Sequence, residues 1–236
     1  MRLRHLVLGF SLTSLLTGCL RLGANPADPF EALNRPIDRF NHTVDSMALK
    51  PLAHVYHALT PAPVRQGVSN VFNNVNQIPT VANDVLQTQW TWALKDTWRF
   101  IINSSMGLGG LFDPASSCSL PLHSNDFGQT LATWGNHDSP YVVIPLLGPS
   151  TLRDAVGLLF NFTLFTPYPY LPQNELIYGL LALRYVDLRA QLLDVDKLTA
   201  ESMDEYAFIR DAYLQNRKYQ LSGQQESATE LLYVAE

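Results

Sequence analysis

From Phe30 to Met47 the apolar residues Phe30, Leu33, Ile37, Phe40, Val44 and Met47 recur at alternating spacings of three and four, which lays one hydrophobic stripe along a helix. Asp28-Pro29-Phe30-Glu31 signals its start, with a capping side chain, a proline at the first helical position and a carboxylate at the third. Pro36 falls inside the stripe and is expected to kink or split the helix, because proline donates no hydrogen bond and crowds the preceding turn. A second helix is predicted over 63–77, with Val64, Val68, Val71 or Phe72, and Val75 in phase. A third runs from Val81 to about Asn103, with a break near Thr91. Ser150 and Thr151, after Gly148-Pro149, can cap a helix reaching about Phe165, and Asn174 one reaching Asp194. Ser202 with Glu205 forms a capping box for a last helix through Tyr219, with Tyr206, Ile209 and Tyr213 on one face. Only Tyr141 to Leu147 has the β-branched look of a strand, and Pro145 excludes it from a central position. The predicted class is all-α.

The stretch from Ala155 to Asn174 carries no charged residue. A membrane span is ruled out there by Pro167, Pro169 and Pro172, since broken backbone cannot face lipid at depth. Two readings stay open, an interfacial segment and a buried loop, and Tyr168 and Tyr170 suit both. No transmembrane helix is expected.

At the N-terminus, Arg2 and Arg4 precede an apolar run from Leu6 to Leu16 that ends in Leu16-Thr17-Gly18-Cys19. The run is shorter than the roughly 20 residues a span requires, and its small-residue end fits cleavage. Residues 1–18 are therefore expected to be a lipoprotein signal peptide, with Cys19 carrying a diacylglycerol and an N-acyl chain and no other cofactor. Several chains give stable attachment where a single one gives only marginal binding. Leu20, in place of an acidic residue, favours sorting to the outer membrane. Residues 19–27 read as a tether, 28–220 as one domain and 221–236 as a polar tail.

Loss of Arg2 and Arg4 leaves 14 basic against 21 acidic residues, a net of −7. That balance excludes a nucleic-acid partner and a polybasic membrane footprint. Cys118 is left without a disulfide partner. With 47% hydrophobic and only 16% charged residues, against about 25% charged in soluble proteins, some apolar surface is expected to face lipid.

Catalytic and metal chemistry is not predicted. His54 and His57 share helical spacing but have no acidic or thiol companion, and His123 near Asp126 and His137 beside Asp138 read as loop polarity. No Gly-x-Ser-x-Gly elbow, Walker loop or Rossmann fingerprint occurs. Gly107-Leu108-Gly109-Gly110 is followed by Leu111-Phe112-Asp113-Pro114 rather than by Lys-Ser/Thr, so it reads as a flexible apolar loop or hairpin.

Several of these stretches, in this order, resemble the MlaA (VacJ) family of outer-membrane lipoproteins. They are 28–35 with Phe40-Asn41, 99–104 leading to 107–113, 127–131, Trp134-Gly135, 140–145, 147–154, 189–194 and 210–213. The resemblance implies a ring-shaped, mostly helical protein in the inner leaflet of the outer membrane, with an amphipathic channel through its middle. It implies partners as well: phospholipid, a trimeric outer-membrane porin, and a periplasmic lipid carrier that returns misplaced phospholipid to an inner-membrane ABC transporter complex. It further implies that Gly107, Leu108, Gly109, Gly110, Leu111 and Phe112 form a mobile apolar hairpin near the channel, and that Phe40-Asn41 is the early Phe-Asn motif, Phe40 also suiting a core stripe. One departure is Asn136-His137-Asp138-Ser139, where the family commonly has glycine. The alternatives are an envelope scaffold that binds porin without moving lipid and a lipid-modifying hydrolase.

Overall fold

A computed structural model describes residues 25–172 and 174–222. The signal segment, Cys19, most of the tether and the polar tail beyond 222 lie outside the described residues.

Helix α1 (Glu31–Val44) passes through Pro36 and runs on. Its irregularity comes later, as a π segment over Asp45–Leu49 that leads into α2 (Lys50–Leu59). Asp28 does not cap α1. It is fully buried and accepts hydrogen bonds from Asn34 Nδ2 at 2.8 Å and from the Tyr206 hydroxyl.

The two helices expected over 63–103 divide elsewhere. Helix α3 (Ala62–Leu86) continues across Pro79, and the break falls at 87–89, where Thr88 takes a φ of 61°. Helix α4 (Trp90–Ser105) follows this short connection and packs along α3. A short α5 (Pro114–Ser117), capped by Asp113, leads to α6 (Phe127–Thr133), capped by Asp126.

Strand β1 (Tyr141–Ile144) pairs antiparallel with β2 (Gly148–Thr151), in register Tyr141 to Thr151 and Ile144 to Gly148. Pro145 lies just beyond β1 in the connecting turn. Pro149 sits in a strand of a two-stranded ribbon, where a missing donor is tolerated. Helix α7 (Leu152–Phe160) starts at the Thr151 cap and passes into a π segment, Asn161–Phe165. A 3-10 turn (Tyr168–Tyr170) precedes α8 (Glu175–Gln191), capped by Asn174. Helix α9 (Val195–Ala200) and α10 (Glu205–Leu221) complete the described chain. The cap of α10 is Asp204, not Ser202, because the Asp204 carboxylate both accepts from the Ala207 N–H and is held by Arg35 at 2.6 Å.

These elements pack in a closed circuit. It runs from α1 through the π segment to α2, then α8, α3, α6, α7, β2 and β1, and back to α1. Tyr141 and Val143 of β1, with Tyr206 of α10, form a small apolar cluster under Ile37, Tyr213 and Leu214. Elsewhere, polar and charged side chains outnumber hydrophobic ones among the buried positions. No helix among the described residues is long and apolar enough to cross a membrane.

Candidate functional site

The packing is inverted relative to a water-soluble bundle. Helix α4 buries Trp92, Ala93, Asp96, Arg99 and Asn103, while Trp90, Leu94, Trp98 and Ile101 form an exposed stripe at spacings of four, four and three. Helix α3 likewise buries Asn74, Gln77, Thr80, Asn83 and Asp84 and exposes Val64, Ile78 and Val85.

The stripe of α1 follows the same rule. Asn34 is buried, whereas Leu33, Phe40 (52% exposed) and Met47 face outward. Phe40 is therefore not a core residue. Its neighbour Asn41 is a structural clamp, whose Nδ2 donates to the Ile144 carbonyl at 2.9 Å and whose Oδ1 accepts from the Leu146 N–H at 2.7 Å. Two turns earlier, Asn34 does the same with the Tyr141 carbonyl and the Val143 N–H. Two amides seven residues apart on α1 thus cover the open edge of β1, which would otherwise invite pairing with another strand.

The uncharged stretch from Ala155 resolves as α7, its π segment and the 3-10 turn. Leu158, Leu159, Phe160, Phe162 and Leu164 are exposed there, while Tyr168 is buried and Tyr170 faces out. About 14 helical residues at 1.5 Å each give roughly 21 Å, short of the ~30 Å hydrocarbon thickness.

The buried seam is a network of side-chain amides. Gln87 Nε2 donates to Asn125 Oδ1 and Thr130 Oγ1, Thr130 Oγ1 donates to Asn83 Oδ1, and Asn83 Nδ2 reaches Asn161 Oδ1, each at 2.8–2.9 Å. Saturated buried polar groups of this kind fix helix positions without needing an apolar centre.

At the other end of the seam Arg217 of α10 holds Asp154 Oδ2 through Nε and Asp126 through both terminal nitrogens. Burial alone would raise the Asp154 carboxyl, but hydrogen bonds from Arg217 and Arg153 outweigh it and hold the group at about 2. A cavity of about 310 Å³ opens beside this cluster, apolar at Ile144, Leu147 and Leu158 and polar at Asp126, Asp154 and Arg217.

The glycine-rich segment is a tight turn after α4 rather than a hairpin of strands. Its base is tied by the Gly110 N–H to the Asn103 carbonyl at 2.8 Å and by the Phe112 N–H to the Gly107 carbonyl at 2.9 Å. Arg99, Asn103 and Asp113 pair below it, and Asn70 Nδ2 reaches the Leu111 carbonyl. Gly110, at φ +94°, has room for no side chain, since a Cβ would stand 2.6 Å from that of Asn74. Above this base, Leu108 (70% exposed) and Phe112 project outward, while the Leu111 side chain lies against Gly67 of α3.

His54 and His57 are exposed. His123 is not loop polarity: its Nδ1 lies 2.7 Å from Asp96 Oδ2 and 3.9 Å from Asp84 Oδ1, far from any pairing with Asp126. Burial pushes the Asp84 carboxyl up to about 7 against the pull of Asn125 and His123. No local motif points to this grouping, because its members are separated by 12 and 27 positions and meet only through the α3–α4 packing.

Comparison with known proteins places this arrangement. The family model described as MlaA lipoprotein matches residues 26–220. An uncharacterized protein of Rickettsia felis is 35% identical over 83% of this chain and 76% of its own length. The intermembrane phospholipid transport system lipoprotein MlaA of Escherichia coli is 33% identical over 94% of this chain and 90% of its own. A solved structure described as the structural basis for maintenance of bacterial outer membrane lipid asymmetry superposes with a TM-score of 0.72 at 34% identity, covering 82% of this chain and 98% of that one. The chain belongs to the MlaA lipoprotein family.

Proposed function

We propose that this protein is an outer-membrane lipoprotein that takes misplaced phospholipid from the outer leaflet and passes it through the helical circuit to a periplasmic carrier. The observation that carries this is the inverted packing. Apolar stripes on α1, α4 and α7 face outward and a hydrogen-bonded polar seam lies within, which suits helices seated in one leaflet and bordering a route that polar headgroups can follow. Cys19, acylated, holds the molecule on the periplasmic-facing leaflet.

The underlying physics is partition. Two acyl chains of about sixteen carbons lose roughly 25 kcal/mol in water at about 0.8 kcal/mol per CH₂, so a sheltered path changes the rate by removing that barrier. The path supplies no direction, which a carrier and an energised inner-membrane complex must provide. A trimeric porin is the partner whose apolar outer wall the exposed stripes would meet. The apolar tip of the turn 107–112 would act on passing chains.

Reconstitution tests the reading. Acylated protein with porin in vesicles bearing labelled phospholipid is expected to speed label transfer to a soluble acceptor. Transfer equal to that of vesicles lacking the protein, with porin binding retained, would leave only a scaffold. Release of fatty acid or lysolipid that disappears on replacing a single Ser or His would indicate a hydrolase.

A further inference from the structure

We infer that Asp84, Asp96 and His123 form a buried site for one divalent transition-metal ion, zinc being the best match, that pins the 120–126 segment to the α3–α4 pair. One ligand atom from each residue lies within 4.8 Å of the others. His123 Nδ1 is hydrogen-bonded to Asp96 Oδ2 at 2.7 Å and stands 3.9 Å from Asp84 Oδ1, so an ion replacing that hydrogen bond needs shifts of only about 0.6 Å to reach the roughly 3.3 Å between ligands on a tetrahedral zinc with bonds near 2 Å.

Asp84 and Asp96 are 0% and 1% exposed. Asp84 Oδ2 receives no hydrogen bond from an N–H or hydroxyl donor, its carboxyl lying instead against that of Asp96, and the buried Gln77 Oε1 has no partner. An unsatisfied carboxylate oxygen at full burial is costly, and a dication bound by two carboxylates and a neutral imidazole brings the group to zero net charge.

The surroundings hold the three side chains as ligands are usually held. Asn125 Nδ2 donates to Asp84 Oδ1 at 2.8 Å, Gln77 Nε2 donates to the His123 carbonyl, and the His123 ring stacks on Trp92 at 4.3 Å between centroids. Calcium and magnesium want six or more oxygens in an open cage. An imidazole with two carboxylates selects zinc or its transition-metal neighbours instead. The site lies in the polar seam, but its test reads metal content and Tm rather than lipid transfer, so it can fail while that proposal stands.

The test uses the full-length acylated protein extracted in detergent. Elemental analysis is expected to find about one zinc per chain. Chelation is expected to lower Tm, with zinc in hundredfold excess over Kd restoring roughly 5–10 °C. Cobalt exchanged into the wild-type protein is expected to give a visible absorption band of a low-coordinate N/O site, a readout that needs no variant. Asp96→Asn and His123→Gln should lose the metal and keep their helical circular dichroism, whereas His54→Ala/His57→Ala should retain it. The proposal is overturned if the wild-type protein holds no stoichiometric metal and neither zinc, manganese nor cobalt moves Tm. It is equally overturned if metal is lost from the His54/His57 variant but kept in His123→Gln, or if only pH, and no ion, changes the stability of this cluster.

Discussion

A Cβ on Gly157 would stand 2.5 Å from the backbone nitrogen of Gly128, so α6 and α7 touch main chain to main chain. That approach brings Asp126 and Asp154, which flank the contact, within reach of the single guanidinium of Arg217. Gly157→Ala has no flexible neighbour to displace and is expected to cost about 3 kcal/mol, lowering Tm by roughly 6–12 °C. Gly179→Ala in α8, where nothing lies within 4 Å, is the control and should leave Tm unchanged or slightly higher. Thermal melts in detergent check both, and equal Tm values for the two variants would contradict the close contact.

Acid should loosen the same corner. The Asp154 carboxyl sits at about 2 in the folded chain against an ordinary 3.8, and its side chain is buried. Its contribution is therefore complete above pH 4 and lost as pH falls toward 2, an effect of about 2 kcal/mol at 1.36 kcal/mol per unit. Asp113, Asp196 and Asp204 are shifted in the same direction, so the wild-type melt alone does not isolate Asp154. Asp154→Asn should be less stable than wild type at pH 6, and the gap should narrow as pH drops from 4 to 2.5. A gap that stays constant with pH would show that the carboxylate charge does not matter there.

Asn34 serves three buried groups at once: the Asp28 carboxylate, the Tyr141 carbonyl and the Val143 N–H. Asn34→Ala leaves all three without that partner and is expected to cost about 3–4 kcal/mol. Asn41→Ala, at a half-buried position with two main-chain partners, should cost about half as much. Amide exchange at Val143 reads the first directly, and protection unchanged from wild type would refute the edge-covering role.

Much of this fold follows from local chemistry that a sequence displays. Thr151 and Asn174 cap as their positions predict, because a short polar side chain before a helix has few competing partners. Where a tertiary partner competes, the local signal loses. Asp28 goes to Asn34 and Tyr206 instead of the helix end, and Arg35 draws the start of α10 to Asp204. Strand β2 is Gly-Pro-Ser-Thr, with little intrinsic strand character, and is made by its neighbour. The larger difficulty is that periodicity gives the phase of an apolar stripe but not its surroundings. Phe40 and Trp98 repeat as core residues do, yet face outward. His123 pairs with residues 27 and 39 positions away, a relation that helix spacing does not encode.

The turn at 107–112 separates structural from functional demands. Its base is fixed: Gly110→Ala at φ +94° meets Asn74 and should destabilise the fold by about 2 kcal/mol or more. Its tip is free. Leu108 holds a φ of 53° while 70% exposed, a conformation that asparagine adopts more readily than leucine. Leu108→Asn should therefore keep or slightly raise Tm while replacing an apolar tip with a polar one. If acyl chains slide past this residue, the lost apolar contact and the added desolvation of an amide raise the barrier by about 1.5–3 kcal/mol, a fall in transfer rate on the order of tenfold or more. Measured side by side, a folded Leu108→Asn protein with slow transfer assigns the tip to the lipid path. The same protein with wild-type transfer reduces the turn to a connection between α4 and α5, whose glycines are needed only for packing against Asn74.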